Sequence, residues 1–193
     1  MKKNKFISLT LLAVMAFSVG CSNGKNVSNT SINSSDNGSS VALDNIARNE
    51  ISVNIAEEAN TNDTIFRLNK VIDSGTTDES GNPYIYLDVT ISNATDKEYD
   101  LSVLNNFYLL VDGNEIHFDI KTQIYATKNI ENYSASPFTI PANGEFSGII
   151  GGFVLPKDTQ DFTVCFFPTQ DDKSNKSSVV KVSISSQNID TLS

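Results

Sequence analysis

Between Tyr84 and Ser92 the side chains alternate without a break: Ile85, Leu87, Val89 and Ile91 fall on one side, and Tyr84, Tyr86, Asp88, Thr90 and Ser92 on the other. A period of two held over nine residues specifies a half-buried β-strand, because successive Cβ atoms leave a pleated sheet on opposite faces. The stretch from Ser178 to Ser185 repeats the pattern, with Val180, Val182 and Ile184 inward and Lys181 and Ser183 outward. Both tyrosines of the first strand therefore belong to its outward face, where adjacent rings would offer contact area at low entropic cost, and packing is the competing fate.

Further strands are expected at Ile65 to Ile72, Asn106 to Val111, Glu115 to Ile120, Phe146 to Leu155 and Asp161 to Phe167, with a loop of turn formers from Asp73 to Pro83. Asp112-Gly113-Asn114 tolerates positive φ and predicts a tight hairpin. Pro141-Ala-Asn-Gly144 is another turn. Pro156 lacks a ladder donor and ends its strand, while Gly148, Gly151 and Gly152 imply a bulge or a close backbone crossing. Val41 to Glu50 reads either as a short helix or as an extended lead-in. About eight short strands, regular turns and no convincing helix define an all-β fold, an antiparallel sandwich with a closed barrel as the alternative.

The other end of the chain has a different character. Lys2, Lys3 and Lys5 precede an uncharged, mostly apolar run from Phe6 to Val19, about 21 Å long as a helix and short of the ~30 Å hydrocarbon core. Residues 1–20 thus read as a removable export signal. In the 19 residues from Ser22 to Ser40, 15 are Ser, Thr, Asn or Gly, too few apolar groups to offset the entropy of ordering, so residues 21–45 are expected to be a flexible tether. The root-mean-square reach of that linker is about 24 Å. The folded domain is assigned to residues 46–188, with a C-terminal tail at 189–193.

Signal, cysteine, polar linker, domain: this order resembles a bacterial lipoprotein, and Ser18-Val19-Gly20-Cys21 resembles its lipobox. The resemblance implies that Cys21 carries a thioether-linked diacylglycerol and is palmitate-like in its acyl chemistry, anchoring the chain on the outer face of the cell membrane. Two acyl chains, at about 0.8 kcal/mol per buried methylene, suffice for a stable anchor. Ser18 stands where that family usually has an apolar residue, and Ser18-x-Gly20 also fits ordinary cleavage, which leaves free secretion as the alternative.

A second resemblance rests on Ile85-Tyr-Leu-Asp-Val-Thr-Ile-Ser-Asn93, Asn106-Phe-Tyr-Leu-Leu-Val-Asp-Gly113, Ile140-Pro-Ala-Asn-Gly-Glu145 and Gly152-Phe-Val-Leu-Pro-Lys157. In this order and spacing they resemble the immunoglobulin-like domain of unknown function common in lipoproteins of Gram-positive bacteria, similar in fold to a mycobacterial immunoprotective extracellular antigen. The resemblance covers roughly residues 60 to 186, implies an immunoglobulin-like β-sandwich, and carries no catalytic residues with it.

Charge and side-chain chemistry narrow the function. The formal charge of −9 becomes −12 once the three signal lysines leave, which opposes nucleic acid and direct docking on anionic lipid. Cys165, inside Phe162-Thr-Val-Cys-Phe-Phe167, is expected to be a buried apolar filler and not half of a bridge to Cys21. His117, the sole histidine, is placed on the surface and lacks the partners that a zinc site needs. Asp73, Asp78 and Glu79, then Asp96, Glu98 and Asp100, then Asp171 and Asp172 are read as solvated loops without calcium-loop spacing. No catalytic, metal or cofactor residue is assigned. The expected function is a lipid-anchored, non-catalytic binding or interaction module of the cell envelope, facing an unidentified protein or small ligand. An accessory subunit docking on an envelope complex or transporter is the alternative, then an unanchored secreted protein, and last a small carboxylate hydrolase.

Overall fold

The computed structural model describes residues 49–61, 63–168 and 178–192. The signal, Cys21, the tether, and Asp171 and Asp172 lie outside the described residues. Those described form two facing five-stranded sheets and one small two-stranded sheet.

The first sheet contains β1 (Asn49–Val53), β11 (Ser178–Ser185), β10 (Asp161–Phe166), β6 (Phe107–Val111) and β7 (Asn114–Ile116), in that spatial order. The second runs β12 (Ile189–Thr191), β3 (Thr64–Thr77), β4 (Pro83–Asn93), β9 (Glu145–Val154), with β2 (Glu58–Asn60) also on β3. β5 (Tyr99–Leu101) and β8 (Phe138–Ile140) make the third. Pairing is antiparallel except at two edges, where β1 runs parallel to β11 and β12 parallel to β3. The fold is therefore the expected all-β sandwich. Seven strands are five residues or longer, close to the expected eight, and the other five have three residues each.

The alternation in β4 holds as read: Ile85, Leu87, Val89 and Ile91 all lie in the intersheet core. Opposite them stand Phe107, Leu109, Val164, Phe166, Val180, Val182 and Ile184. Phe166 stacks between Phe66, at 4.5 Å, and Phe107, at 4.8 Å, so three rings from both sheets lock the centre. Each such side chain contributes about 1.5–3 kcal/mol through burial. A register shift between Leu68 and Lys70 changes the parity of β3, which keeps Phe66, Leu68 and Val71 inward and sends Ile72 to the opposite face.

The turns follow their residue chemistry. Asp112 and Gly113 have φ of 49° and 79°, as the hairpin between β6 and β7 requires. Asn93 is 2% exposed and holds the corner after β4: its Nδ2 donates to the carbonyls of Lys97 (2.7 Å) and Pro141 (3.0 Å), and its Oδ1 accepts from Thr95 N (2.9 Å). Three expectations need correction, and one open alternative is decided. β3 extends to Thr77, leaving only 78–82 as a turn within the expected loop from Asp73 to Pro83. Residues 189–193 are not wholly a tail, since Ile189–Thr191 pair with Val71 to Asp73 as β12. Asn49 and Glu50 are extended, which settles that end of the lead-in.

The third correction is the largest. The strand expected from Glu115 ends at Ile116, and α2 (Ile120–Asn129) follows, with a shorter helix α1 (Val103–Asn106) upstream. Asp119 starts α2 because its carboxylate accepts from Lys121 N at 2.7 Å, satisfying an orphan donor of the first turn. Thr122, Ala126 and Ile130, four apart, form its buried stripe. That stripe rests on the outer face of the second sheet, at the bulge where Ile85 pairs with Phe153 and Tyr86 with Gly151. The extra residue is Gly152, with φ of 138° and its carbonyl accepting from Asp119 N at 2.9 Å. A Cβ there would lie 1.7 Å from Thr122 Oγ1.

Gly152→Ala should therefore lose about 3 kcal/mol or more of stability in urea unfolding, from the steric overlap added to the backbone strain. Gly75→Ala is the control, with φ of 72° but no atom within 4 Å of the new Cβ, and should lose about 1 kcal/mol. Equal losses for the two would show that the close approach of α2 carries no weight.

Candidate functional site

Large aliphatic side chains at the surface are the informative exceptions in a domain with a complete core. Leu104, Ile120 and Ile124 are 54%, 56% and 54% exposed, and only Leu192 joins them among the described residues. Leu104 belongs to α1, Ile120 and Ile124 to successive turns of α2. Between the two helices lies a groove of about 470 Å³, into which Leu104, Ile120, Phe118 and Pro137 contribute apolar surface, with Asp100 and Gln123 among its polar members.

Hydrogen bonds hold the walls in place. Ser102 caps α1 by accepting from Asn105 N at 3.1 Å. Asn106 accepts from Ser102 N through Oδ1 (2.9 Å) and donates from Nδ2 to the Phe167 carbonyl (2.9 Å), which ties α1 to the first sheet. Ser136 joins the helices: its Oγ accepts from Val103 N (2.9 Å) and its own N–H donates to Gln123 Oε1 (3.1 Å). Thus α1, α2 and the segment before β8 form one pre-organised cleft, of the kind that receives an apolar anchor without first being ordered.

The tyrosines that alternation placed outward serve a different purpose. Tyr86 is fully buried beneath α2 and its hydroxyl donates to the Thr122 carbonyl at 2.8 Å. Tyr133 donates to the Gly151 carbonyl at 2.7 Å and meets Tyr86 edge-on, with ring centroids 5.9 Å apart. Tyr84 and Tyr125 make a second edge-on pair, and Tyr125 accepts from Thr76 Oγ1 at 2.8 Å. Tyr99 and Tyr108 are buried elsewhere. These tyrosines therefore pack instead of forming a recognition patch, as a clasp that seats α2. Burial pushes the Tyr133 hydroxyl up to about 12, and burial, reinforced by the neighbouring tyrosines, raises Tyr86 as well.

The remaining candidates are dispersed. Cys165 is buried against Tyr108, Phe167 and Val179, as expected of a filler. His117 is 46% exposed, with Nε2 3.1 Å from Glu115 Oε2. Asp78 organises its turn, accepting from Ser80 N (2.8 Å) and from Asn82 N (2.9 Å), bonds from Asn82 being the main cause of its lowered pKa. Asp78 and Glu79 do meet Asp119 and Lys121 around a polar concavity of about 440 Å³. Among the described residues, no three His, Cys, Asp or Glu side chains are placed to hold a metal ion. No described helix is long and apolar enough to cross a membrane.

The groove itself escaped the sequence reading. Its signal was present in Asp119-Ile-Lys-Thr-Gln-Ile-Tyr-Ala-Thr-Lys-Asn129, where a capping aspartate precedes apolar residues at a spacing of four.

An immunoglobulin-like β-sandwich carrying a helix-walled apolar groove defines the class. Residues 53–176 match the family described as domain of unknown function (DUF4352), and the chain belongs to that family. This bears out the resemblance drawn from the strand and turn motifs. No curated protein matches the chain. Solved structures similar to it include the ycdA protein of Bacillus subtilis, at 15% identity and TM-score 0.49 over 67% of this chain and 38% of that one. The yjhA protein of Bacillus subtilis aligns at 16% identity and TM-score 0.46, over 67% and 98% of the two chains. The secreted protein MPT63 of Mycobacterium tuberculosis aligns at 12% identity and TM-score 0.46, over 68% and 97%. The first of these shares little more than a third of its length with this chain.

Tyr133→Phe tests the clasp through pH. A hydroxyl whose folded pKa lies near 12, above the usual 10, keeps its proton in the native state while the unfolded chain loses one. Its contribution is full below pH 10 and is lost as pH rises through about 12. The variant should be about 1 kcal/mol less stable at neutral pH, from the missing hydrogen bond, and its stability should fall less steeply between pH 10 and 12. Matching urea midpoints for both proteins at every pH would refute the clasp.

Proposed function

We propose that this protein is a non-catalytic binding module of the cell envelope, held at the outer face of the membrane by lipid on Cys21 and presenting its sandwich on the polar tether of residues 21–45. The groove between α1 and α2 is the observation that carries the binding reading. A hydrogen-bonded cleft with the exposed side chains of Leu104 and Ile120 in its lining is an acceptor for a partner. The anchor reading is supported by the order of basic start, short apolar run, cysteine and Ser/Asn-rich linker. An anchor at Cys21 would keep the domain near the membrane, which would raise the effective concentration for any envelope partner.

Mass spectrometry of the mature N-terminus, together with cell fractionation, tests the anchor. Diacylglycerol on the Cys21 sulfur and recovery in the membrane fraction are expected, and Cys21→Ser should abolish both. A free thiol at Cys21 in the processed protein would overturn the anchor and leave secretion in its place.

A further inference from the structure

The chemistry of the groove's surroundings narrows what can occupy it. β5 alternates: Tyr99 and Leu101 point into the core, whereas Glu98 before the strand and Asp100 within it are exposed, and Asp100 lines the groove. Asp119, its carboxylate engaged at the start of α2, and Lys121 both line the other concavity with Asp78 and Glu79, and Lys128 lies in the last turn of α2. Among the described residues that line the apolar cleft, Asp100 is the one charged side chain. The described residues as a whole carry 19 aspartates and glutamates against seven lysines and arginines.

We propose that the groove binds a protein segment that inserts an aliphatic or aromatic side chain between Leu104 and Ile120 and carries lysine or arginine on either side of that anchor. This names the partner class for the binding module proposed above and rests on that reading. The apolar anchor supplies the affinity, by displacing water from Leu104, Ile120 and Phe118. The basic flanks supply orientation and association rate against Glu98 and Asp100. The same charge balance disfavours the other occupants. A second copy would bring an equally acidic surface against this one, and an anionic bilayer would be repelled by most of the domain.

The experiment uses the full chain in nanodiscs of neutral phosphatidylcholine and two labelled amphipathic peptides with one identical leucine-phenylalanine face, flanked by lysines in one and by glutamates in the other. Fluorescence anisotropy should show the lysine-flanked peptide binding about tenfold tighter, with the gap closing as salt is raised. Leu104→Glu with Ile120→Glu, at exposed positions that line the groove, should remove binding of both peptides, with circular dichroism confirming the fold. Glu98→Gln with Asp100→Asn should leave the glutamate-flanked peptide unchanged and bring the lysine-flanked one down to its level.

Absence of binding by either peptide, equal or tighter binding of the glutamate-flanked one, or binding that survives Leu104→Glu with Ile120→Glu overturns the proposal. So does a dimer in sedimentation, or adsorption to phosphatidylglycerol vesicles, that Ile120→Glu abolishes, because either outcome assigns the groove to a different occupant. The anchor is read independently, at the Cys21 sulfur, so its failure and this one are distinguishable.

Discussion

Thr122 packs against β9 only because position 152 has no side chain. The bulge opposite Ile85 and Tyr86 swings the Gly152 backbone outward, its carbonyl receives the Asp119 N–H, and the Thr122 side chain occupies the space a Cβ would fill. From that contact α2 is laid along the outer face of the second sheet. Its inner stripe covers Tyr86 and Ile72, and Ile120 at its start shares the groove with Leu104 of α1. A groove wall of this kind costs the domain exposed apolar surface, and the close packing on the other side of the helix supports it.

The sandwich beneath is stiff enough to bear such a site. Phe66, Phe107 and Phe166 stack across the two sheets, and the edges are managed by parallel strands, β1 on β11 and β12 on β3, that close the sheets without long flat borders. Polar corners do comparable work. Asn93 and Asn106 are each 2% exposed, and each spends its amide on backbone groups of distant segments, so the chain turns without leaving buried carbonyls unmatched. Asn106 belongs to α1, and so the wall that bears Leu104 is tied to the core through it.

Much of this architecture was legible in the residues. Strict alternation in β4 and β11, the Asp112-Gly113 turn and the glycine bulge all express local rules of backbone geometry, and local rules survive folding. The helix was less legible, because Ile116, Phe118 and Ile120 continue a period of two into a segment whose following spacing is four. Tyr86 shows a second limit. Alternation states which face of a strand a side chain occupies, but whether that face meets solvent depends on an element placed there from more than thirty residues away. The groove was hidden for the same reason: Leu104, Ile120 and Pro137 are remote from one another along the chain.

The sequence by itself determined the all-β class, the family, the strand positions and the acidic balance, since these follow from side-chain periodicity, motif order and composition. Only the tertiary structure decided which exposed aliphatic residues stand together, that the outward tyrosines are a clasp, and that Asp100 lines the cleft. Those properties come from distances between segments set by sheet order and by the docking of one helix on one glycine, and no local pattern encodes such distances.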